Sequence, residues 1–174
     1  MSAEGKPELT KEKINSVMEL FLNGNYNKAL KTLSFLTETY PNNSLLFNIK
    51  GACYAGLGQL DKAVISYKKA VKINPKYSKA HYNLGGAFHE MGALDDSIQS
   101  YIKSLSIDSD YAEAHNNLGN VYRQKKLLDK AVNSYMNAIN INPDYLEAHY
   151  SIGLVFQDLG QTDLMISHIK KVIT

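Results

Sequence analysis

Large apolar residues recur along the chain at spacings of three and four, the pattern of an amphipathic α-helix. In HNNLGNVYRQ, residues 115–124, they share one helical face, and in LDKAVNSYMNAI, residues 128–139, the same spacing marks a second helix. A short link that usually contains glycine separates the two helices, and a proline usually follows the second. Strand-like alternation does not occur, so the pattern predicts an all-α chain built of helical hairpins.

The hairpin repeats at an interval of 34 residues. SKAHYNLGGAF (78–88), AEAHNNLGNVY (112–122) and LEAHYSIGLVF (146–156) occupy the same part of three successive units. One hairpin cannot bury its apolar face alone, so we expect the units to stack into a single array. The predicted units are 10–43, 44–77, 78–111, 112–145 and a partial 146–174, preceded by a flexible N-terminus, 1–9.

Glycine recurs at two places in the unit, at the eighth position and in the link between the helices. The eighth position holds glycine in units two to five, which removes bulk where two helices cross closely, and aromatic rings fill the adjacent space. The link between the helices carries Gly24, Gly58, Gly92 and Gly160, with Lys126 in the fourth unit. If the link residue is left-handed, Lys126 costs on the order of 1 kcal/mol.

These residues resemble the tetratricopeptide repeat, or TPR. The resemblance implies a right-handed α-solenoid of antiparallel helix pairs, a TPR superhelix of about five repeats. The phrase AEAHNNLGNVY is most similar to the repeats of O-linked N-acetylglucosamine transferase and related bacterial TPR proteins. The first unit departs from the pattern by showing Ser16-Val17 for Leu-Gly, and the second has Lys50 where leucine is usual.

Composition narrows the classes of partner. The chain has 19 Lys and Arg against 17 Asp and Glu, a balance that argues against nucleic acid or an anionic membrane as partner. The N-terminus lacks the apolar core of a secretion signal, and no apolar stretch is long enough to span a bilayer. We therefore expect a cytoplasmic protein whose partner is another protein or a peptide.

Candidate catalytic and metal-binding residues have simpler interpretations. His81, His115 and His149 recur once per repeat, so neighbours stand about 8–10 Å apart, too far to share a zinc ion. We interpret them as packing residues, and His168 shows no acidic or cysteine partner. Cys53 lies in a small apolar column and is expected to be buried. The sequence predicts no catalytic residue, cofactor or metal, and hence no enzyme. A column of aspartates that includes Asp61 is expected to cap the second helices.

The resemblance also implies a concave groove lined by the first helices. Asn83 and Asn117 lie where transferase-type repeats present a ladder of amides to a peptide backbone, although an asparagine also simply suits a hydrated helix. The groove lacks the set of two lysines, an arginine and two asparagines with which chaperone-adaptor members of the family bind an acidic peptide C-terminus. The candidate peptide-binding residues are Asn48, Lys79, Tyr82, Asn83, His89, Asn116, Asn117, Asn120, Arg123 and Tyr150.

Three functions remain open from the sequence. The first is an interaction scaffold that holds an extended peptide or a partner helix in the groove. The second is the substrate-recruiting region of a larger glycosyltransferase-like or sulfotransferase-like enzyme, and the third is a self-assembling TPR protein. The apolar residues of DLMISHIKKVIT, such as Ile166 and Ile169, lack a further helix to cover them. We therefore expect a homodimer through the C-terminal end or the groove.

Overall fold

The computed structural model describes residues 9–173, and all regular structure in that range is helical. Of the segment 1–9, expected to be flexible, only Leu9 lies within the described residues. The helices follow one another in pairs joined by short links. They are α1 (Lys11–Leu22), α2 (Tyr26–Thr39), α3 (Ser44–Gly56), α4 (Leu60–Ile73), α5 (Ser78–Glu90), α6 (Leu94–Ile107), α7 (Ala112–Gln124), α8 (Leu128–Ile141), α9 (Leu146–Asp158) and α10 (Thr162–Ile173).

The chain divides into two compact units, the first ending at Ala87 and the second beginning at Phe88, so the boundary falls within α5. In unit 1, α2 packs on α1 and α3, and α3 packs on α4. Its apolar core contains Val17, Ala29, Leu33, Leu36, Leu46, Ile49 and Cys53. In unit 2, each helix from α6 to α9 packs on the helix that follows it. Its core contains Ala131, Tyr135, Ala138, Ile139, Ala148, Ile152, Val155 and Phe156.

The links between paired helices are left-handed, as the glycine column indicates. Gly24, Gly58, Gly92 and Gly160 have φ between 69° and 75°, which glycine adopts without a Cβ clash. Lys126 has φ 61° at the same place. The expected cost of about 1 kcal/mol therefore applies at this lysine.

In α3 and α7, the glycine at the eighth position of the repeat accepts the aromatic ring of the helix that follows. A Cβ added at Gly51 would lie 2.5 Å from Cε1 of Tyr67, and one added at Gly119 would lie 2.6 Å from Cε1 of Tyr135. Both tyrosines are almost fully buried. The glycines thus let the two helices approach until an aromatic ring touches the opposite backbone.

The periodic histidines anchor the loops between repeats. The Nε2 atoms of His81, His115 and His149 lie 2.9–3.1 Å from the carbonyl oxygens of Pro75, Ser109 and Pro143, each at the end of the preceding repeat. A carbonyl oxygen only accepts, so each Nε2 donates. Within residues 9–173, no three His, Cys, Asp or Glu side chains are grouped as a metal site would require.

The aspartates at the second helices do not cap them as expected. The N-cap residues of α4, α6 and α8 are Gln59, Ala93 and Leu127, and none forms a side-chain capping hydrogen bond. Asp61 and Asp129 lie inside the first turn instead, where the carboxylate faces the positive end of the helix dipole. Their placement fits the expected interaction with the helix dipole, whereas the expectation that they cap the helices is wrong.

The last helix leaves apolar side chains in solvent. Leu164 is 47% exposed and Ile166 is 41% exposed, whereas Met165, Ile169 and Val172 are partly buried. No helix among the described residues is both long enough and apolar enough to cross a bilayer. Association through this end stays a prediction.

Candidate peptide-binding site

The ten first-helix residues predicted to bind peptide divide between the two units. Unit 1 contains Asn48, Lys79, Tyr82 and Asn83, and unit 2 contains His89, Asn116, Asn117, Asn120, Arg123 and Tyr150. Their exposure differs widely, even among Asn48, Asn116 and Tyr150, which occupy the same position of the repeat. Asn48 and Asn116 are buried, Tyr150 is 51% exposed, and Asn117 is partly buried.

In unit 1 the asparagines bind each other. Asn83 Nδ2 donates to Asn48 Oδ1 at 2.9 Å, and Asn48 Nδ2 lies 3.5 Å from the Tyr77 hydroxyl. Burial raises the pKa of Tyr77, which keeps that hydroxyl protonated. Lys79 Nζ lies over the Tyr82 ring, 5.6 Å from its centroid. Asn48 therefore serves as an internal link between successive repeats.

In unit 2 polar pairs join successive first helices near their C-terminal ends. His89 Nε2 donates to Gln124 Oε1 at 2.8 Å, between α5 and α7. Arg123 Nε lies 3.5 Å from Asp158 Oδ2, between α7 and α9, although this buried Nε is not aligned for a hydrogen bond. The contact is thus an ion pair in which Asp158 balances the charge of Arg123.

Further along α7 and α9 lies a cleft of about 420 Å³, here called the α7–α9 cleft. It is lined by Asn116, Asn120, Leu146, Glu147, Tyr150, Ser151 and Val172. Its only charged lining residue is Glu147, so the cleft suits a neutral or basic ligand. An adjoining opening of about 450 Å³ is lined by His89, Asn120, Arg123, Gln124 and Lys126.

The Tyr135 hydroxyl orients the Asn120 amide in this cleft. It donates to Asn120 Oδ1 at 2.8 Å and is also hydrogen-bonded to Ser151. Because Oδ1 is engaged, the Nδ2 donors of Asn120 are left for a ligand. Asn116 is 5% exposed, and its Oδ1 has no hydrogen-bond donor within the described residues. A buried acceptor without a donor costs about 1–3 kcal/mol, so both amides have hydrogen-bonding capacity left over.

The single cysteine of the chain is not poised for reaction. Cys53, the single cysteine, is fully buried in unit 1, and burial raises the pKa of its thiol to about 11. At neutral pH a thiol with that pKa is almost entirely protonated, and a protonated thiol is a poor nucleophile. This agrees with the interpretation of Cys53 as a structural residue.

Sequence reasoning missed a histidine pair in the last hairpin. His149 Nδ1 and His168 Nδ1 lie 2.9 Å apart, and the His168 ring also lies 5.6 Å from that of Phe156. His149 Nε2 donates to Pro143, so the bond between the two rings is formed by the other nitrogen of His149, Nδ1. Burial first, then the neighbouring His149 and Lys171, lower the pKa of His168 below its ordinary 6.5. The arrangement thus favours an uncharged His168.

Acidification is expected to destabilise this hairpin. The unfolded chain takes up a proton at His168 as the pH falls through about 6.5, whereas the folded chain resists it because the native pKa is lower. The free energy of unfolding should therefore fall between pH 7.5 and 5.5. Urea denaturation of the wild type and His168→Phe across this range tests it, and the variant should show the smaller dependence.

His115→Phe is the matched control for the pH experiment. It removes the equivalent bond to Ser109, at 3.0 Å, from a histidine in the same column. Its stability should fall because that bond is lost, and its pH dependence is the reference against which that of His168→Phe is compared. An unchanged pH dependence in His168→Phe would contradict the assignment.

The repeat signal agrees with comparison to known families. The sequence model of the TPR repeat family matches residues 51–92, 86–126 and 119–160, which together cover more than half the chain. The chain belongs to the TPR repeat family. Among proteins of known sequence, TPR segments similar to this one occur in anaphase-promoting complex subunit 3 of Dictyostelium discoideum, 35% identical over 77 residues, which are 44% of this chain and 8% of that protein.

Other relatives match over similarly short stretches. Small glutamine-rich tetratricopeptide repeat-containing protein 2 of Mycosarcoma maydis is 36% identical over 62 residues, 36% of this chain and 18% of that protein. The peroxisomal targeting signal receptor of Kluyveromyces lactis is 30% identical over 64 residues, 37% of this chain and 11% of its own length. The chain spans less than a fifth of each of these proteins. None of the three is named as a transferase, and the likeness to transferase repeats expected from AEAHNNLGNVY stays a prediction.

Solved TPR structures resemble the chain over nearly its whole length. The crystal structure of MamA has a TM-score of 0.85 at 25% identity and covers 96% of this chain and 95% of that one. YrrB, a TPR protein with an unusual peptide-binding site, has a TM-score of 0.76 at 16% identity and covers 92% of this chain and 83% of its own. At 16% identity the second likeness concerns the fold alone. The predicted TPR fold is thus confirmed.

Proposed function

We propose that this protein is a non-enzymatic interaction scaffold that holds an extended peptide in the α7–α9 cleft. TPR family membership supports a scaffold for protein–protein contacts. The relatives include a targeting signal receptor and a subunit of a complex, and the similarly folded YrrB has a peptide-binding site. The orientation of the Asn120 amide by Tyr135 is the observation that carries the peptide part of the proposal.

The spacing of the two asparagines fits an extended backbone. Asn116 and Asn120 are four residues apart on α7, a rise of about 6 Å. An extended peptide alongside α7 presents like-facing peptide groups every two residues, about 6.6 Å apart. The Nδ2 donors of Asn120 meet a ligand carbonyl, and the Asn116 amide meets the peptide group two residues away. Tyr150, at the edge of the cleft, adds apolar contact.

Exchanging Asn120 for aspartate should weaken peptide binding about tenfold. Asn120→Asp keeps an oxygen to accept from Tyr135 but replaces the Nδ2 donors with an acceptor, which repels a ligand carbonyl. An immobilised array of random peptides identifies a ligand, and fluorescence anisotropy with that labelled peptide gives the affinity. Tyr150→Ala should also weaken binding, because half of that side chain is available for contact.

The matched control is Asn137→Asp, the same chemical change at an exposed asparagine of α8. It should leave the affinity unchanged. Equal affinities for the wild type and Asn120→Asp, or failure of every peptide in the array to bind, would contradict the proposal.

A further inference from the structure

Unit 1 contains an apolar pocket of about 380 Å³ with a basic rim, here called the Lys50 pocket. It lies between α3 and α4 and is lined by Phe47, Lys50, Tyr54, Lys62, Ile65, Ser66 and Lys69. Two aromatic rings provide its walls, and Ile65, 68% exposed, stands at its mouth. The pocket thus combines apolar surface with three ammonium groups.

Two of these residues depart from the other repeats. At the position of Lys50, repeats three to five hold Leu84, Leu118 and Ile152, all buried in the core. At the position of Phe47 the same repeats hold the histidines that anchor the preceding loop. Repeat two therefore has a lysine in place of a core residue and a phenylalanine in place of the histidine that bonds the preceding loop. Both side chains line the Lys50 pocket.

The three lysines have no acidic partner among the described residues. Lys50 is partly buried, and its Nζ contacts only the Thr37 hydroxyl, at 3.4 Å. Lys62 Nζ lies 5.6 Å from the centroid of the Tyr54 ring and contacts Gln59 Oε1 at 2.9 Å. Lys69 Nζ lies 5.8 Å from the centroid of the Phe47 ring. A partly buried ammonium without a counter-charge is costly, so an anion at the rim gains more here than at an open surface.

We propose that the Lys50 pocket binds an acidic peptide segment of a partner protein, with one apolar side chain flanked by carboxylates. The apolar side chain packs between the rings of Phe47 and Tyr54 and covers Ile65. The carboxylates lie against the ammonium groups of Lys50, Lys62 and Lys69, an arrangement stabilised by charge complementarity and by burial of apolar surface. The carrying residues all belong to unit 1, so this site is independent of the α7–α9 cleft in unit 2.

Fluorescence anisotropy with two synthetic peptides tests the assignment. The first is a short labelled peptide with one phenylalanine between two pairs of glutamates, and the second carries lysines in place of the glutamates. The acidic peptide should bind more tightly than the basic one, and its affinity should fall with rising salt. Lys50→Leu should weaken its binding about tenfold or more. Because leucine is the residue of the core in repeats three and four, this variant should fold with equal or greater stability.

Lys62→Gln and Lys130→Gln form a matched pair. Lys130 occupies the same position in the fourth repeat and lies over the Tyr122 ring at the same 5.6 Å, away from the Lys50 pocket. Weaker binding in Lys62→Gln with unchanged binding in Lys130→Gln supports the site. The proposal is overturned if the acidic peptide does not bind, if both peptides bind equally, or if Lys50→Leu binds as the wild type does. It is overturned equally if vesicles of phosphatidylserine and phosphatidylcholine, or a second copy of the chain, occupy the pocket in place of the peptide.

Discussion

Replacing Tyr135 with alanine is expected to lower the free energy of unfolding by about 3–5 kcal/mol. The ring is fully buried in the core of unit 2 and touches the backbone of α7 at Gly119, so its removal leaves a cavity that rigid helices cannot close. Its hydroxyl bonds to Asn120 and Ser151 are lost as well. Urea denaturation followed by circular dichroism measures the change.

Tyr135→Phe separates the ring from its hydroxyl. It keeps the packing and removes only the hydroxyl contacts, so it should cost about 1 kcal/mol. The same change frees Asn120 Oδ1 and should weaken peptide binding in the α7–α9 cleft. A loss in Tyr135→Ala no larger than that in Tyr135→Phe would mean that the ring is not a core residue.

The helices and their pairing could be predicted because the same apolar and glycine positions recur in successive repeats. Apolar spacing of three and four fixes the buried face, and a glycine link with positive φ joins the two helices of a hairpin. Even the exception is informative, since Lys126 takes φ 61° in a position where its four equivalents are glycine. A local backbone conformation depends on residues that are adjacent in sequence, so it can be predicted from the sequence alone.

The polar contacts of the candidate site could not be predicted in the same way. Asn48, Asn116 and Tyr150 occupy one position of the repeat, yet two are buried and Tyr150 is half exposed. Their exposure depends on the side chains of the next repeat, such as Asn83, whose amide reaches back to Asn48. A repeat position fixes the direction of a side chain on its own helix but not the size of the neighbour that covers it.

The histidine pair was missed because its partners lie on different helices, 19 residues apart. The sequence did hold a signal, since His168 interrupts a column that reads Ser66, Ser100 and Ser134 in the preceding repeats. The Lys50 pocket followed from the same kind of departure. Where one repeat differs in sequence from the others, the packing contact that the others share is thus replaced by a contact specific to that repeat.

Gly119→Ala is expected to destabilise unit 2 by about 2 kcal/mol, although alanine is normally the better helix former. The added Cβ would lie 2.6 Å from Cε1 and 2.8 Å from Cδ1 of Tyr135. The ring cannot withdraw, because the core encloses it and Asn120 and Ser151 hold its hydroxyl. Overpacking at the upper end of the usual range, about 3 kcal/mol, therefore outweighs a helix-propensity gain of about 1 kcal/mol.

The sign of that effect should reverse when the ring is absent. In the Tyr135→Ala background the Cβ at position 119 meets no ring, so Gly119→Ala should stabilise by about 1 kcal/mol. Gly153→Ala is the matched control, since its Cβ meets the flexible end of Ile169 at 2.9 Å and should cost less than Gly119→Ala. Urea denaturation of the four members of the cycle measures the coupling. If the two substitutions have additive effects on stability, the glycine at position 119 is not required to accommodate the Tyr135 ring. The close approach of the paired helices would then need another explanation.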